Sequence, residues 1–273
     1  MVETSVERFV SMGTRVELHL FGPVADDVVR QARRAIEAVD DALTIHRPSP
    51  VTSLNESLGA GEAAAVTDPL LQRALLAVDG LHDETGGLFD PAVGAGGWSA
   101  VSLEDDAAQV VAARPVMLDF GGFGKGFALD RAVAVLREGG VSSAFLSAGE
   151  SSIAVIGEHP LGGKWLVAIP DPRDPDAALV ELELEDEALS VSSTLGGGDA
   201  RAASLRPADG AAVTAPRTCV AIAADGGAAE AWSTALLVAQ PDEARRWIAA
   251  APTRRFAFAL GDAMSFRNNQ MMG

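Results

Sequence analysis

The chain has little of what would place it in several large classes of protein. It contains one cysteine, Cys219, no tyrosine, and no apolar run of the roughly 18 residues that a membrane helix needs. A lone cysteine excludes an internal disulfide, and its apolar neighbours predict a buried, inert thiol. Lysine and arginine number 21 against 38 acidic residues, which gives a formal net charge of −17. Because binding to a phosphate backbone relies on clustered basic residues, nucleic acid is not expected as a partner.

The N-terminal residues bear on the location of the protein. Residues 1–9 carry Glu3 and Glu7 and lack the apolar segment of a secretory signal peptide. The sequence as given therefore favours the cytoplasm; a periplasmic, extracytoplasmic or membrane-anchored location is the alternative if a leader was removed.

An acidic chain that binds an anionic ligand needs local positive charge from a helix N-terminus, a metal or a lysine.

Hydrophobic periodicity predicts runs of strands interrupted by separate helices. We expect strands at residues 15–20, 116–120, 143–147, 153–156, 165–169, 180–184, 217–224 and 255–260, and helices at residues 25–43, 69–84, 125–138, 228–238 and 242–251. Proline-containing residues 44–55 and 171–176 are expected to be loops. The order does not alternate as in a doubly wound sheet, and there is no internal repeat or long linker. The sequence therefore predicts one α+β domain over residues 1–273.

A glycine-rich turn is the strongest local feature of the sequence. Residues 118–130 read as a strand end, the turn Gly121–Gly126 and the start of a helix, with Lys125 inside the turn. Glycines let the backbone approach a ligand, and a helix N-terminus presents free N–H groups, so this segment suits a phosphate or diphosphate. Asp119 and Gly126 stand where a P-loop needs Gly and Ser or Thr, so it is not a P-loop. A tight turn packed on a sheet is the alternative.

Several shorter signals carry two interpretations each. Glu230 and Thr234 share one face of a predicted helix and offer hard oxygen ligands for Mg²⁺, or form an ordinary solvated face. Residues 89–91, Phe-Asp-Pro, form a ligand wall or a turn. Met12 before a strand is typical of a core position. Two serines, Ser192 and Ser193, and the glycines at 196–198 either line a phosphate site or form a loop. The histidines, which lack zinc spacing, are His19, His46, His82 and His159.

Taken together and in order, these segments resemble the ApbE family of FAD:protein FMN transferases. Their shared order and spacing over residues 11–235 make the match specific. The matching segments are Ser-Met-Gly-Thr at 11–14, His-Arg-Pro at 46–48 with Leu-Asn at 54–55, Gly-Gly-Leu-Phe-Asp-Pro at 86–91, residues 119–130 with Lys-Gly-Phe-Ala-Leu-Asp at 125–130, Ala-Gly-Glu-Ser-Ser at 148–152, residues 165–172, Ser-Ser at 192–193, and Ala-Glu-Ala-Trp-Ser-Thr-Ala at 229–235.

The resemblance implies an α+β, T-fold-related domain with a mostly antiparallel sheet, packed helices and a cleft for FAD. It implies Mg²⁺ beside the diphosphate, and transfer of FMN from FAD to a threonine or serine of an acceptor flavoprotein with release of AMP. Carried over by motif, the catalytic residues are Glu230 and Thr234, and the metal ligands are these two and the Gly122 carbonyl. The FAD-binding residues carried over are Met12, His46, Leu88, Phe89, Asp90, Asp119, Lys125 and Ser193.

The chain departs from the family pattern at several positions in the catalytic half. His46 stands in place of the usual tyrosine, and Glu230 in place of the metal-binding aspartate, which moves the carboxylate by roughly 1.5 Å. Ala203 and Arg206 replace a histidine and an aspartate, and Glu150 replaces a glycine. Loss of a general base costs about 10²- to 10⁴-fold in rate. Three hypotheses therefore stand: an FMN transferase, an FAD-binding protein without transferase activity, and a hydrolase that splits FAD to FMN and AMP.

Overall fold

The structure is a computed structural model that describes residues 3–94, 96–195, 204–251 and 253–260. The helices are α1 (Asp26–Leu43), α2 (Pro50–Gly59), α3 (Pro69–Glu84), α4 (Gly124–Glu138), α5 (Gly226–Val238) and α6 (Pro241–Ala250). The strands are β1 (Thr4–Ser11), β2 (Thr14–Phe21), β3 (Ala64–Ala65), β4 (Ala92–Gly94), β5 (Val101–Glu104), β6 (Gln109–Ala112), β7 (Val116–Leu118), β8 (Ala144–Ala148), β9 (Ser152–Ile156), β10 (Trp165–Asp171), β11 (Asp174–Leu184), β12 (Ala188–Ser193), β13 (Arg217–Ala223) and β14 (Arg255–Ala259).

A seven-stranded antiparallel sheet organises the fold, in the order β1-β2-β8-β9-β12-β13-β14. The alternation expected for β2 is present, because Val16, Leu18 and Leu20 are fully buried while the residues between them are not. Three smaller units, β10-β11, β3-β6-β5 and β4-β7, are also antiparallel. The predicted α+β class with a mostly antiparallel sheet is confirmed.

Both faces of the large sheet are covered. On one face α4 packs against β8 and β9, α5 packs against β12 and β13, and α1 packs on α4. On the other face the hairpin of β10 and β11 buries Trp165, Val167 and Leu184 against the sheet. The outward side of β11 carries Glu181 and Glu183 in solvent, as its alternating sequence predicts. The helical face, where α4 and α5 begin near the ends of strands, is the one that builds the site.

The element predictions differ from the structure in two loop segments and in several strands. Residues 44–55 were expected to be a loop, but α2 begins at Pro50. Ser49 caps this helix, since its side chain accepts the Thr52 N–H, and proline is tolerated at the first helical position. Residues 171–176 belong largely to the β10–β11 hairpin, which reaches Asp171 and resumes at Asp174. The predictions omit the edge strand β1, the strand β12 of the large sheet, and the short strands β3, β4, β5 and β6.

The helices of the described residues bear on whether the protein could span a membrane. None of them combines the length and the apolarity that crossing a bilayer requires. The longest helix, α1, is amphipathic and buries Ala32, Ile36 and Val39 on one face. Its apolar stripe is therefore taken up by packing against the rest of the protein.

Candidate functional site

A cavity of about 1070 Å³ lies beside the N-terminal turn of α4. Ligand sites in proteins are commonly ~300–1,000 Å³, so this one has room for a cofactor-sized molecule. Its walls come from the end of α3, the segment around β4, the turn before α4, β12, α5 and residues 204–210. Ser192 lines it, as do seven of the eleven site residues that the family resemblance implies: Leu88, Asp90, Asp119, Gly122, Lys125, Glu230 and Thr234.

The turn that leads into α4 is held at its start by a side-chain amide. Asn55 accepts the N–H of Leu118 at 2.7 Å and donates to its carbonyl at 2.9 Å, so it replaces a strand partner at the end of β7. Asp119 then donates its N–H to the Pro91 carbonyl, and its side chain accepts the N–H of Gly121 at 2.8 Å. These bonds fix the turn on both sides, and with it the position of the following lysine.

The helices α4 and α5 cross in direct backbone contact. A Cβ atom on Gly126 would lie 2.0 Å from the Gly226 carbonyl oxygen, so no larger residue fits there without movement. Asp130 of α4 accepts the N–H groups of Gly226 at 2.6 Å and Gly227 at 2.9 Å, which satisfies two free donors at the start of α5. Burial raises the pKa of Asp130 to about 7, although these two hydrogen bonds act in the opposite direction.

An ion pair between the two helices lies on the cavity wall. Lys125 Nζ lies 2.8 Å from Oε1 of Glu230, and Ser152 donates to the same oxygen at 2.5 Å. Glu230 is 2% exposed, and its second oxygen, Oε2, is buried without a hydrogen-bond partner among the described residues. A buried carboxylate oxygen without a partner is costly, so this atom is suited to bind a cation or a donor from a ligand.

Hydroxyl groups line the wall next to this pair. Thr234 lies one turn after Glu230, and a Cβ on Gly122 would be 3.0 Å from its Oγ1. The Ser192 hydroxyl lies 2.8 Å from that of the fully buried Ser233, which donates to Ser190 at 3.0 Å. This network fixes the side chains where β12 meets α5.

Asp90 holds the backbone of another part of the cavity wall. Its carboxylate accepts the N–H of Ala92 at 2.8 Å and of Trp98 at 3.0 Å. A Cβ on Gly97 would lie 2.1 Å from Oδ2 of Asp90, so glycine is required at this close approach. Asp90 therefore shapes the loop around β4.

The structure does not bring four of the sequence-predicted FAD-binding side chains into the cavity lining of the described residues. Phe89 is 2% exposed and packs in the core, with its N–H bound to the Thr85 hydroxyl. His46 is exposed on the surface, and Ser193 hydrogen-bonds to Thr218. Met12, in the turn between β1 and β2, lies against Gly124 at the start of α4 rather than on the cavity wall.

Other residues line the cavity that the sequence did not single out as ligand-binding. They include Ser151 and Ser190. All four histidines lie in the described part of the chain, and His82 is the one that lines the cavity. Arg206 lines it too, from a turn that no local spacing connects to α4 or α5. Ala203, which replaces the family histidine, and the glycines at 196–198, which could line a phosphate, lie outside the described residues.

Comparison with known proteins decides the family. A sequence profile of the ApbE family matches residues 95–258, which is more than half of the chain. The chain belongs to the ApbE family. A curated FAD:protein FMN transferase of Rhodobacter capsulatus is 33% identical over an alignment of 201 residues, which covers 61% of this chain and 37% of that protein. The chain thus corresponds to well under two thirds of the length of that relative.

Solved structures of ApbE proteins share the fold. The apo flavinyl transferase ApbE of Pseudomonas stutzeri superposes with a TM-score of 0.79 at 19% identity, covering 95% of this chain and 92% of that one. The ApbE protein of Thermotoga maritima gives 0.80 at 21% identity, with 94% of each chain covered. The flavin transferase ApbE of Vibrio cholerae gives 0.79 at 18% identity, covering 96% and 95%. The likeness establishes an ApbE fold.

Two departures from the ApbE pattern have a visible structural setting. Glu150 adopts φ 60°, the left-handed region that favours glycine, and its carboxylate pairs with Arg15 at 2.9 Å. Glycine would adopt this backbone conformation without strain, whereas the glutamate adopts it and forms an exposed ion pair. Arg206 lies on the cavity wall, where the family pattern has an acidic residue. A cation therefore stands at this position, in a lining that also contains five carboxylates.

Proposed function

We propose that this protein binds FAD in the cavity and transfers FMN to a threonine or serine hydroxyl of an acceptor flavoprotein, with release of AMP. The observation that carries the proposal is the Lys125–Glu230 pair on the wall of a cavity of about 1070 Å³, in a chain of the ApbE family. The name of the Rhodobacter capsulatus relative supports the reaction. The volume lies at the upper end of the ~300–1,000 Å³ that ligand sites commonly have, which suits a ligand as large as a dinucleotide.

The reaction is a phosphoryl-type transfer. The hydroxyl oxygen of the acceptor forms a bond to the phosphorus of the FMN half, and the bond from that phosphorus to the bridging oxygen breaks. The bond electrons leave with AMP, and the hydroxyl proton passes to water. Such reactions depend mainly on positioning and on neutralising charge. Lys125 supplies a positive charge at the wall, and the turn Gly121–Gly122 lets the diphosphate approach the backbone.

The residues present fit a magnesium ion. Glu230 Oε2 lacks a partner among the described residues, and the Thr234 hydroxyl lies close to Gly122. The described residues hold no group of three or more His, Cys, Asp or Glu arranged for a metal. Magnesium commonly uses one or two carboxylates and takes its other ligands from water and substrate phosphates. We propose that Glu230, Thr234 and the Gly122 carbonyl would hold Mg²⁺, which would neutralise charge on the diphosphate.

One incubation separates the proposed transferase from its alternatives. FAD, Mg²⁺ and an acceptor flavoprotein with a threonine motif are mixed with the protein, and AMP and covalently bound FMN are measured by chromatography and mass spectrometry. We expect equal amounts of both products, lower yields with Glu230→Gln, and unchanged yields with Lys164→Ala, which alters a distant exposed lysine. AMP without acceptor would indicate a hydrolase. No AMP with a competent acceptor would refute transfer.

A second candidate is an FAD-binding protein that no longer transfers FMN. The observation that favours it is Arg206, which lines the cavity where the ApbE pattern has an aspartate. This candidate predicts that FAD fluorescence is quenched on binding while no AMP appears with any acceptor. A protein that neither retains FAD nor quenches its fluorescence would exclude both candidates.

A further inference from the structure

Arg206 belongs to a short turn whose backbone is fixed by its own hydrogen bonds. Arg206 accepts the N–H of Gly210 at 2.8 Å and donates its own N–H to Ala211 at 2.9 Å. Next to it, Val213 donates to the Ser204 carbonyl at 2.9 Å. Both backbone polar groups of Arg206 are therefore satisfied, and the turn holds its side chain at the cavity wall.

The guanidinium of Arg206 has more donors than the described protein uses. Nη1 donates to Asp209 Oδ2 at 2.8 Å, and the other oxygen of Asp209 accepts the Ala211 N–H. Nε is buried and has no partner among the described residues. An arginine carries five N–H donors. Because a buried donor without a partner is unfavourable, closure of the turn alone does not account for this side chain.

The charges around the cavity show what Arg206 adds. The carboxylates that line it are Asp83, Asp90, Asp119, Glu230 and Glu243, and the permanently charged cations among the described lining residues are Lys125 and Arg206. Lys125 is already paired with Glu230. A second cation of the protein would favour an anionic ligand in this acidic surround, and a guanidinium suits phosphate because its planar N–H groups bind two oxygens at once.

We propose that Arg206 binds the phosphate groups of the cavity ligand, as a second anion contact in addition to Lys125. The inference rests on the proposed function for the identity of the ligand as FAD. It assigns to a residue that departs from the ApbE pattern a role in selecting phosphorylated flavins over riboflavin.

The test compares ligands that differ in phosphate content. Dissociation constants of FAD, FMN and riboflavin are measured by fluorescence with EDTA present, for the wild-type protein and for Arg206→Gln, Arg206→Lys and Arg173→Gln. Arg173 is the matched control, since it is an exposed arginine paired with Asp171 on the distant hairpin. We expect Arg206→Gln to weaken FAD binding about ten- to one-hundred-fold, Arg206→Lys to recover part of it, and riboflavin binding to stay within about two-fold.

Three results would overturn the inference. They are an equal loss for all three flavins, which indicates a structural role, an unchanged affinity for FAD, and a loss of the same size in Arg173→Gln. If Arg206→Gln does not fold, Arg206→Lys still tests the inference, because it keeps the charge and loses the two-point contact.

A separate measurement distinguishes failure of this inference from failure of the proposed function. Wild-type protein that binds no flavin refutes the proposed function. In that case pyrophosphate and ADP are titrated by calorimetry. Binding of either that is lost in Arg206→Gln supports the phosphate contact for another ligand, and absence of binding overturns it as well.

Discussion

The ammonium of Lys125 lies 2.8 Å from Oε1 of Glu230, while Oε2 of the same buried carboxylate has no hydrogen-bond partner among the described residues. The two side chains come from α4 and α5, which start at the same place because their backbones touch at Gly126 and Gly226. The pair therefore joins the two helices, and both residues line the cavity.

We first predict that Lys125→Met destabilises the protein by about 3–5 kcal/mol, because it leaves the Glu230 carboxylate buried without its cation. Urea unfolding monitored by circular dichroism measures this free energy. Lys164→Met is the matched control, since Lys164 is exposed and lies 3.7 Å from Glu185. We expect it to change stability by less than about 0.5 kcal/mol.

A double variant checks the cause of that loss. Lys125→Met combined with Glu230→Gln removes both charges, so it should be more stable than the sum of the single effects by about 0.5–3 kcal/mol. Simple additivity would show that Lys125 stabilises the fold by some route other than Glu230.

A second prediction concerns the backbone contact between α4 and α5. Gly126→Ala places a methyl group 2.0 Å from the Gly226 carbonyl oxygen, so the helices must separate, at a cost of about 1–3 kcal/mol or more. Gly80→Ala serves as the control, because Gly80 lies in α3 with open space around it. There alanine should stabilise the helix by about 0.5–1 kcal/mol. Thermal unfolding of both variants gives opposite shifts; equal shifts would contradict the contact.

A third prediction follows from the raised pKa of Asp130. Its pKa of about 7 in the folded protein is above the value of 3.8 in the unfolded chain, so the folded state binds the proton more tightly. The contribution of Asp130 to the free energy of unfolding is fully present below about pH 4 and is lost as pH rises to about 7. Within this range the free energy of unfolding falls by at most ~1.4 kcal/mol per pH unit. Asp130→Asn should remove this slope in urea titrations between pH 4 and 8.

The control for this pH dependence has the opposite sign. The Arg173 guanidinium holds the pKa of Asp171 at about 2, so its contribution is present above about pH 4 and is lost as pH falls. Asp171→Asn should leave the slope between pH 4 and 7 unchanged. A wild-type slope in that window that survives in Asp130→Asn would assign it to other groups.

A fourth prediction concerns Cys219, which is fully buried in β13. Burial raises the pKa of its thiol to about 12, so almost no thiolate exists near pH 8. Under native conditions iodoacetamide should not label the protein, whereas in urea it should label one thiol per chain, as mass spectrometry measures. Rapid labelling of the folded protein would show that β13 opens easily.

The sequence predicts the regular elements better than the approach of distant segments. Alternation in β2 and the Asp68-Pro69 start of α3 are local, and both are present in the structure. The start of α2 at Pro50 was missed although Ser49 carries a local capping signal. Here the proline was interpreted as a loop residue, whereas at the first helical position it is compatible with a helix.

In the candidate site, too, local features are predicted from the sequence and tertiary contacts are not. The four-residue spacing of Glu230 and Thr234 predicts one helix face, and both side chains line the cavity. No local pattern shows that Phe89 points into the core while Leu88 lines the cavity, since this depends on where the chain turns after α3. The position of Arg206 on the cavity wall depends on tertiary structure, which residue spacing cannot predict.

The backbone contact at Gly126 and Gly226 also limits how this protein can vary. Where two main chains touch, no side chain lies between them whose size could alter the distance between the helices. Neighbouring residues can therefore be substituted, in natural relatives or in engineered variants, while the distance between the backbones at residues 125 and 230 stays constant. A library that varies the cavity lining but keeps both glycines should retain the geometry of the pair.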